Sequence, residues 1–300
     1  MINRKNMDIN KYFEENRVTE IKTGQSGAEV YEINYDSILK HIVRSKLPEE
    51  KFSTYSREAL FYQSKMNTPA GYLPEVLNIE ISDSEIILLI KKYRTLERKN
   101  LDDNLLHKIM KALAAVHLDT IPDFLSDKNE PAVLSEDKIA YCLNGWHKVL
   151  SEHPGAFNEK PLDSIAGKIN DIIKWHGTEQ RSLVHGDFHW ENLLEDSAGN
   201  IIVCDWQGVR VGGASDDLSF FISRLGDDGF NVDSEVILKA YAAEMKKVTG
   251  EEIDIQNIQK HIAATNVITS FEFWHEFLHG TNKERVAGIY DRMISDFSLV

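Results

Sequence analysis

Short runs rich in Val, Ile and Tyr recur through the first third of the chain: Arg17 to Lys22, Ala28 to Tyr35, Ser37 to Val43, Glu75 to Ile81 and Glu85 to Lys92. Their length and β-branched content predict strands. One helical stretch, about Thr54 to Met66, interrupts them before Pro69 and Gly71 break the pattern. From about Leu101 the period changes: Leu105, Ile109, Ala112, Leu113 and Val116 fall at spacings of three and four, which places them on one helical face. Further helices are predicted near 135–152, 161–176, 215–225, 233–248, 255–279 and 283–297. Inside that helical half lies a strand-like island, Ser182 to Val184, Leu193-Leu194 and Ile201 to Cys204, with Asp196 to Asn200 as a turn. The pattern predicts an α+β molecule of two lobes: a small, mainly antiparallel β lobe over 1–93, a connector over 94–101 and a larger helical lobe over 102–300. A cleft between two such lobes is a natural place for a ligand.

Composition changes this picture only by exclusion. With 300 residues, 42% hydrophobic and 27% charged, and only 7 Pro and 17 Gly, the chain can bury a sizeable core and is not of a disordered type. Its 48 acidic against 34 basic side chains leave −14, with no concentrated basic patch, so nucleic acid is excluded as a partner and a cationic one is favoured. The two cysteines, Cys142 and Cys204, form no CxxC pattern. Met1 to Asn6 lead into no apolar stretch, and the longest aliphatic run, Ile86 to Ile90, is far short of the ~20 residues of a membrane span. A cytoplasmic protein without a membrane partner is expected.

The densest polar signal is His185-Gly186-Asp187-Phe188-His189-Trp190-Glu191-Asn192, followed downstream by Cys204-Asp205-Trp206-Gln207. The first element follows a short apolar strand and the second ends one. If the segment between is a hairpin, Asp187 and Asn192 lie beside Asp205, and two carboxylates and an amide oxygen gather as a hard cation such as Mg²⁺ requires. One carboxylate can then hold metal while the other faces a hydroxyl as base. Each residue alone has a plainer reading as a turn, loop or strand-end residue; together, at this spacing, they point to chemistry.

His185-Gly186-Asp187, Asn192 and then Asp205-Trp206 resemble the motif pair of the aminoglycoside phosphotransferase and choline kinase-like family, small-molecule relatives of the protein kinases. The resemblance implies a bilobal kinase-like fold and γ-phosphoryl transfer from ATP or GTP, with Mg²⁺, to a hydroxyl of a small molecule. It assigns Asp187 as catalytic base and Asn192 and Asp205 as metal ligands, while His185 holds the loop and Asp217 anchors it. Thr23 to Tyr31 lies between two predicted strands, and its Gly24, Ser26 and Gly27 would let backbone N–H groups approach a triphosphate; read alone, the same pattern is an ordinary hairpin. Lys40 interrupts an apolar strand, and the resemblance makes it the phosphate-binding lysine, with Glu58 on the following helix as its ion-pair partner. The adenine is expected against the connector after Ile86 to Ile90, with Ile90 and Lys92 as hinge residues.

Trp190 and Glu191 depart from the small residues or Pro that the family often has there, and Gln207 stands where many relatives carry Glu. Trp190 is therefore a candidate for shaping the acceptor site. A late helix carries Phe271-Glu272-Phe273-Trp274-His275-Glu276-Phe277, whose Glu272, Trp274 and Glu276 suit an ammonium-bearing acceptor through charge and cation–π contact. The plainer reading is aromatics in the core and carboxylates in water. An aminoglycoside is the first acceptor class; choline-like amino alcohols, sugars and macrolides are alternatives. A protein kinase is disfavoured because no Asp-Phe-Gly or Ala-Pro-Glu is found, and a catalytically silent nucleotide-binding module because every expected chemical part is present.

Overall fold

The structure, a computed structural model, describes residues 9–21, 27–68, 70–97, 101–125, 133–230 and 232–300. After a short helix α1 (Ile9–Glu15), five strands, β1 (Val18–Glu20), β2 (Glu29–Ile33), β3 (Ser37–Val43), β4 (Val76–Ile81) and β5 (Glu85–Lys91), form one antiparallel sheet in the order β1-β2-β3-β5-β4. Alternation along β3 and β5 gives the sheet two different faces. Leu39, Ile87 and Leu89 pack outward with Tyr12 and Phe13 of α1, whereas Ile38, Ile42, Ile86, Leu88 and Ile90 join the main core on the other side.

Helix α2 (Glu49–Lys65) crosses that inner face. Pro48 sets its start and Glu49 and Glu50 sit favourably in the first turn. It begins ahead of the expected Thr54 because these polar residues carry no hydrophobic period. Its buried stripe, Phe52, Tyr55, Ala59 and Tyr62, also carries Glu58 and Lys65 inward.

The helical lobe contains α3 (Asp103–His117), α4 (Glu136–Ser151), α5 (Lys160–His176), α6 (Ala214–Asp227), α7 (Ser234–Thr249), α8 (Ile255–Thr269), a helical turn α9 (His275–Phe277) and α10 (Lys283–Phe297). The expected single helix over 255–279 is interrupted by a π-helical segment, Ser270–Trp274. Five short strands complete the lobe. They are β6 (Arg94–Thr95), β7 (Ser182–Val184), β8 (Leu193–Glu195) and β9 (Ile201–Val203), with β10 (Arg210–Gly212) after them pairing β7. β8 and β9 form the expected hairpin, and β6 pairs with β8, so residues assigned to a free connector extend this ribbon. Arg94 and Thr95 are thus strand residues, and a lobe boundary within 94–101 is kept as our proposal.

One core runs from the inner sheet face through α2 into α3, α6 and α7; a second lies among α4, α5, α8 and α10. Trp206, fully buried, stacks on Phe61 of α2 at 4.4 Å between ring centroids and tilts against Tyr72 at 5.7 Å. The end of α2 is fixed by Lys65, whose ammonium lies 2.9 Å from Asp119 and donates to the Thr120 carbonyl at 2.8 Å, while the Tyr72 hydroxyl also donates to Asp119. No helix among the described residues is long and apolar enough to cross a membrane.

Burial pushes the Asp119 carboxyl up, but hydrogen bonds from Lys65 and Tyr72 and the Lys65 charge outweigh it and hold it below its ordinary value. A depressed carboxylate stabilises the fold above its unfolded pKa and loses that contribution as pH falls through the folded one. Asp119→Asn should cost about 2 kcal/mol at pH 7, and the gap to wild type should close as pH drops below ~4. Denaturant unfolding at several pH values measures this; a gap that widens on acidification contradicts it.

Candidate active site

The first half of the site is an ion-pair chain between β3, α2 and the residues after β9. Lys40 lies on β3 between Ile38 and Ile42, so strand alternation turns it to the inner face, toward α2. Its Nζ donates to Glu58 Oε1 and Oε2 at 2.9 and 3.2 Å and to Asp205 Oδ1 at 3.1 Å. Glu58 is 1% exposed, and a carboxylate so deep needs a cation held in place. Burial alone would lower the Lys40 pKa, but the facing charges of Glu58 and Asp205 raise it above its ordinary value, so the ammonium is secured.

The second half is the loop after β7. Gly186 has φ +79, and a Cβ there would meet the Gly208 carbonyl oxygen at 2.2 Å, so only glycine fits this turn. Asp217 at the start of α6, fully buried, accepts the N–H groups of His185 and Gly186 at 2.7 and 2.8 Å and faces His117 Nε2 at 3.2 Å. The His185 ring meets the Cys204 carbonyl at 3.0 Å, and burial lowers its pKa. It braces the loop against the strand that ends at Asp205, as the sequence reading expected. Asn192 Nδ2 donates to the Asp187 carbonyl at 2.9 Å and to its Oδ2 at 3.1 Å, and the Cys204 N–H donates to the Asn192 carbonyl at 2.9 Å. The hairpin β8–β9 thus sets Asn192 beside the Cys204–Asp205 strand end.

Asp205 itself sits at φ 65, ψ 62, a left-handed conformation that costs a non-glycine residue about 1–2 kcal/mol and that marks functional turns. Burial pushes its carboxyl up, but the Lys40 charge and hydrogen bond and the Gln207 amide outweigh this and hold it below the ordinary range. Lys40 and Gln207 both donate to Oδ1, and Oδ2 has no partner among the described residues. Asn192, likewise, uses its amide N–H₂ toward Asp187 and keeps its oxygen. An ionised carboxylate oxygen and an amide oxygen with no competing donor form the donor set a hard divalent cation takes, so these residues fit Mg²⁺.

Of the remaining expected residues, Gly27 lies two residues before β2 with φ +79, and Gly24 and Ser26 lie outside the described residues. Ile90 is buried under the sheet, pairing with Ile38. The Lys92 N–H is donated to the Asp36 carbonyl at 2.7 Å and its ammonium pairs with Glu32. That amide is therefore not offered to a base edge. Trp190 is 3% exposed and packs on Phe230 at 4.9 Å, so it serves the core rather than an acceptor wall. Glu272, Trp274 and Glu276 do share the 270–277 segment, where Glu272 lies 3.9 Å from Lys138 and Glu276 accepts the Tyr141 hydroxyl at 3.1 Å. Sequence reasoning gave His189 no role; its Nε2 lies 3.1 Å from the Asn192 amide and 3.5 Å from Asp187 Oδ2. Its position two residues beyond Asp187 was the available signal. Gln207 was read only as a departure, yet it steadies Asp205.

A five-stranded sheet joined to a helical lobe, with lysine, glutamate and aspartate bridging them, defines a bilobal protein of the kinase-like fold. The family model described as "Phosphotransferase enzyme family" matches residues 17–250, and the chain belongs to that family. Among solved structures it is similar to the aminoglycoside phosphotransferase APH(2'')-Ib with ADP bound, at 15% identity over 96% of this chain and 95% of that one, TM-score 0.59. It is also similar to the Plasmodium vivax ethanolamine kinase, at 11% over 98% and 86%, TM-score 0.60. The choline kinase LicA of Streptococcus pneumoniae aligns at 14% over 98% and 100%, TM-score 0.55. No curated protein matches the sequence significantly.

Asp217→Asn removes the charge that accepts two backbone N–H groups and faces His117 in a fully buried position. It should lower unfolding free energy by about 2–3 kcal/mol, measurable by chemical denaturation, whereas an unchanged midpoint would show that the loop does not lean on this carboxylate.

Proposed function

We propose that this chain is a Mg²⁺-dependent small-molecule kinase that moves the γ-phosphoryl group of ATP or GTP to a hydroxyl. The observation that carries the reading is the bridge from Lys40 to both Glu58 and Asp205, beside an Asp187 hydrogen-bonded to Asn192. Lys40 would bind the α- and β-phosphates, and the backbone N–H groups of Gly24, Ser26 and Gly27 would approach them. Asn192 and Asp205 would hold the metal, which when bound neutralises charge on the phosphate oxygens. The Asp187 side chain is 43% exposed, so an acceptor hydroxyl can reach it; it takes the proton as that oxygen bonds to the γ-phosphorus and the bond to the bridging oxygen breaks. The Asn192 hydrogen bond orients that carboxylate, and His189 sits within reach of it.

For the acceptor, the net charge of −14 favours a cation, and an aminoglycoside is the first class we assign; with that acceptor, in the cytoplasm, the role would be antibiotic resistance, and with an amino alcohol it would be metabolic. Amino alcohols are the second, since structural neighbours of the same fold include an ethanolamine kinase and a choline kinase. Glu272, Trp274 and Glu276 remain our candidates for the acceptor side, with Glu272 already partly compensated by Lys138.

Asp187→Ala should lower kcat by about 10²–10⁴-fold while nucleotide affinity changes little; turnover near wild type would overturn the assignment. Asp205→Asn should abolish the Mg²⁺ dependence of nucleotide affinity in a titration. ADP or GDP release measured against aminoglycosides, amino alcohols, sugars and macrolides identifies the acceptor class; release with none of them, and none beyond background hydrolysis, would favour a silent module.

A further inference from the structure

Away from the Lys40–Asp205 chain, the described residues place one other group of metal-ligating side chains together. His176 ends α5, Glu179 follows in the turn before β7, and His261 lies within α8; one ligand atom from each lies within 4.8 Å of the other two. None of the three takes part in the proposed phosphoryl transfer.

Each is prepared as a ligand by its neighbours. His176 Nε2 faces Asp216 Oδ1 and Thr265 Oγ1, both at 3.4 Å, and the Thr265 hydroxyl spends its own proton on the His261 carbonyl at 3.1 Å. Two acceptors around Nε2 place the proton there and leave a lone pair on Nδ1. That Nδ1 is buried without a hydrogen-bond partner, 4.0 Å from Glu179 Oε2. His261 is 3% exposed, its ring stacked flat on Trp175 at 4.2 Å, and its Nδ1 is also buried without a partner. Glu179 is oriented by Ser215, whose N–H and hydroxyl donate to its two oxygens at 3.1 and 2.5 Å.

Two buried imidazole nitrogens without hydrogen-bond partners are expensive in a folded chain, and one cation held with Glu179 would satisfy both. We propose that His176, Glu179 and His261 form a site for a divalent transition-metal ion of the zinc class. Two nitrogens and one carboxylate oxygen are a three-ligand zinc set, and a carboxylate hydrogen-bonded to the far nitrogen of a ligating histidine is the outer shell such sites use. Tetrahedral ligation needs ligand atoms about 3.4 Å apart, so the 4.0 Å pair closes by side-chain rotation. Two of the three residues, Glu179 and His261, also line a cavity of about 300 Å³ with Trp175 and Tyr241, with room for water or a small oxygen ligand. The ion ties the end of α5 to α8 and, through Ser215 and Asp216, to the start of α6, where Asp217 holds the loop that carries Asp187.

The test is calorimetric titration of Zn²⁺ into the chelator-stripped full chain in excess Mg²⁺, with Co²⁺ as optical and NMR probe. One equivalent should bind with micromolar affinity or tighter, and Co²⁺ should give intense tetrahedral visible bands and shifted ring protons from two histidines. Glu179→Gln and His261→Gln should weaken binding at least 100-fold and Asp216→Asn about 10–100-fold, while Asp205→Asn leaves it unchanged. Absence of saturable binding by the folded wild-type protein, or of the histidine resonances with Co²⁺, overturns the proposal without relying on any variant. Binding that survives both ligand substitutions, or is lost only with Asp205→Asn, overturns it as well.

Discussion

One ammonium holds the two lobes to a single geometry. Lys40 comes from the sheet, Glu58 from α2 and Asp205 from the end of the β8–β9 ribbon, and the three meet within 3.2 Å of one nitrogen. Each partner is costly to bury alone: a carboxylate 1% exposed on the apolar stripe of α2, and a lysine among isoleucines on an inner sheet face. Because the charges compensate only at hydrogen-bond distance, small rotations of the lobes are resisted by electrostatics as well as by packing. The aromatic stack of Trp206 on Phe61 lies immediately beside this bridge in sequence on both sides, adjacent to Asp205 and three residues beyond Glu58, so core packing and ion pairing fix the same elements.

The loop beyond β7 depends on a different economy. Its backbone N–H groups cannot pair within a strand or helix, and a buried aspartate takes two of them. That aspartate is in turn held by His117 of α3, itself bonded to the Tyr241 hydroxyl of α7 at 2.8 Å. The catalytic carboxylate proposed at Asp187 is thereby freed from structural work: the anchoring is done by Asp217, and the Asp187 side chain remains part-exposed.

Most strands of the first lobe and the β8–β9 hairpin were legible because a half-buried strand must alternate and a short apolar run bounded by turn residues has few other uses. The Lys40–Glu58 pairing was reachable only through resemblance, since nothing in the periodicity of either element says which charged residue turns inward. Trp190 shows the converse failure. A large aromatic in a polar motif looks like a ligand contact, yet it is buried against Phe230, a residue far along the chain that periodicity cannot connect to it. β6 and β10 escaped notice because two- and three-residue strands are defined by their partners and not by their own composition.

The break in the helix after Thr269 has a physical cause that no local signal carries. Ser270 to Trp274 contain neither Gly nor Pro, so the expectation of one continuous helix was reasonable on propensity. The widened π turn leaves carbonyls that lack their usual intrahelical donors, and α4 supplies replacements: the Trp146 indole donates to the Ser270 and Phe271 carbonyls at 3.2 and 3.1 Å, and the Cys142 thiol to that of Glu272 at 3.7 Å. On the same helix, Gly145 makes room for His275, whose Nδ1 would stand 2.3 Å from any Cβ added there. Three residues of α4, spaced within one turn of one another, therefore accommodate an irregularity more than a hundred residues downstream. The information for the break lies in the partner helix, and reading the segment alone could only return the regular structure its own residues prefer.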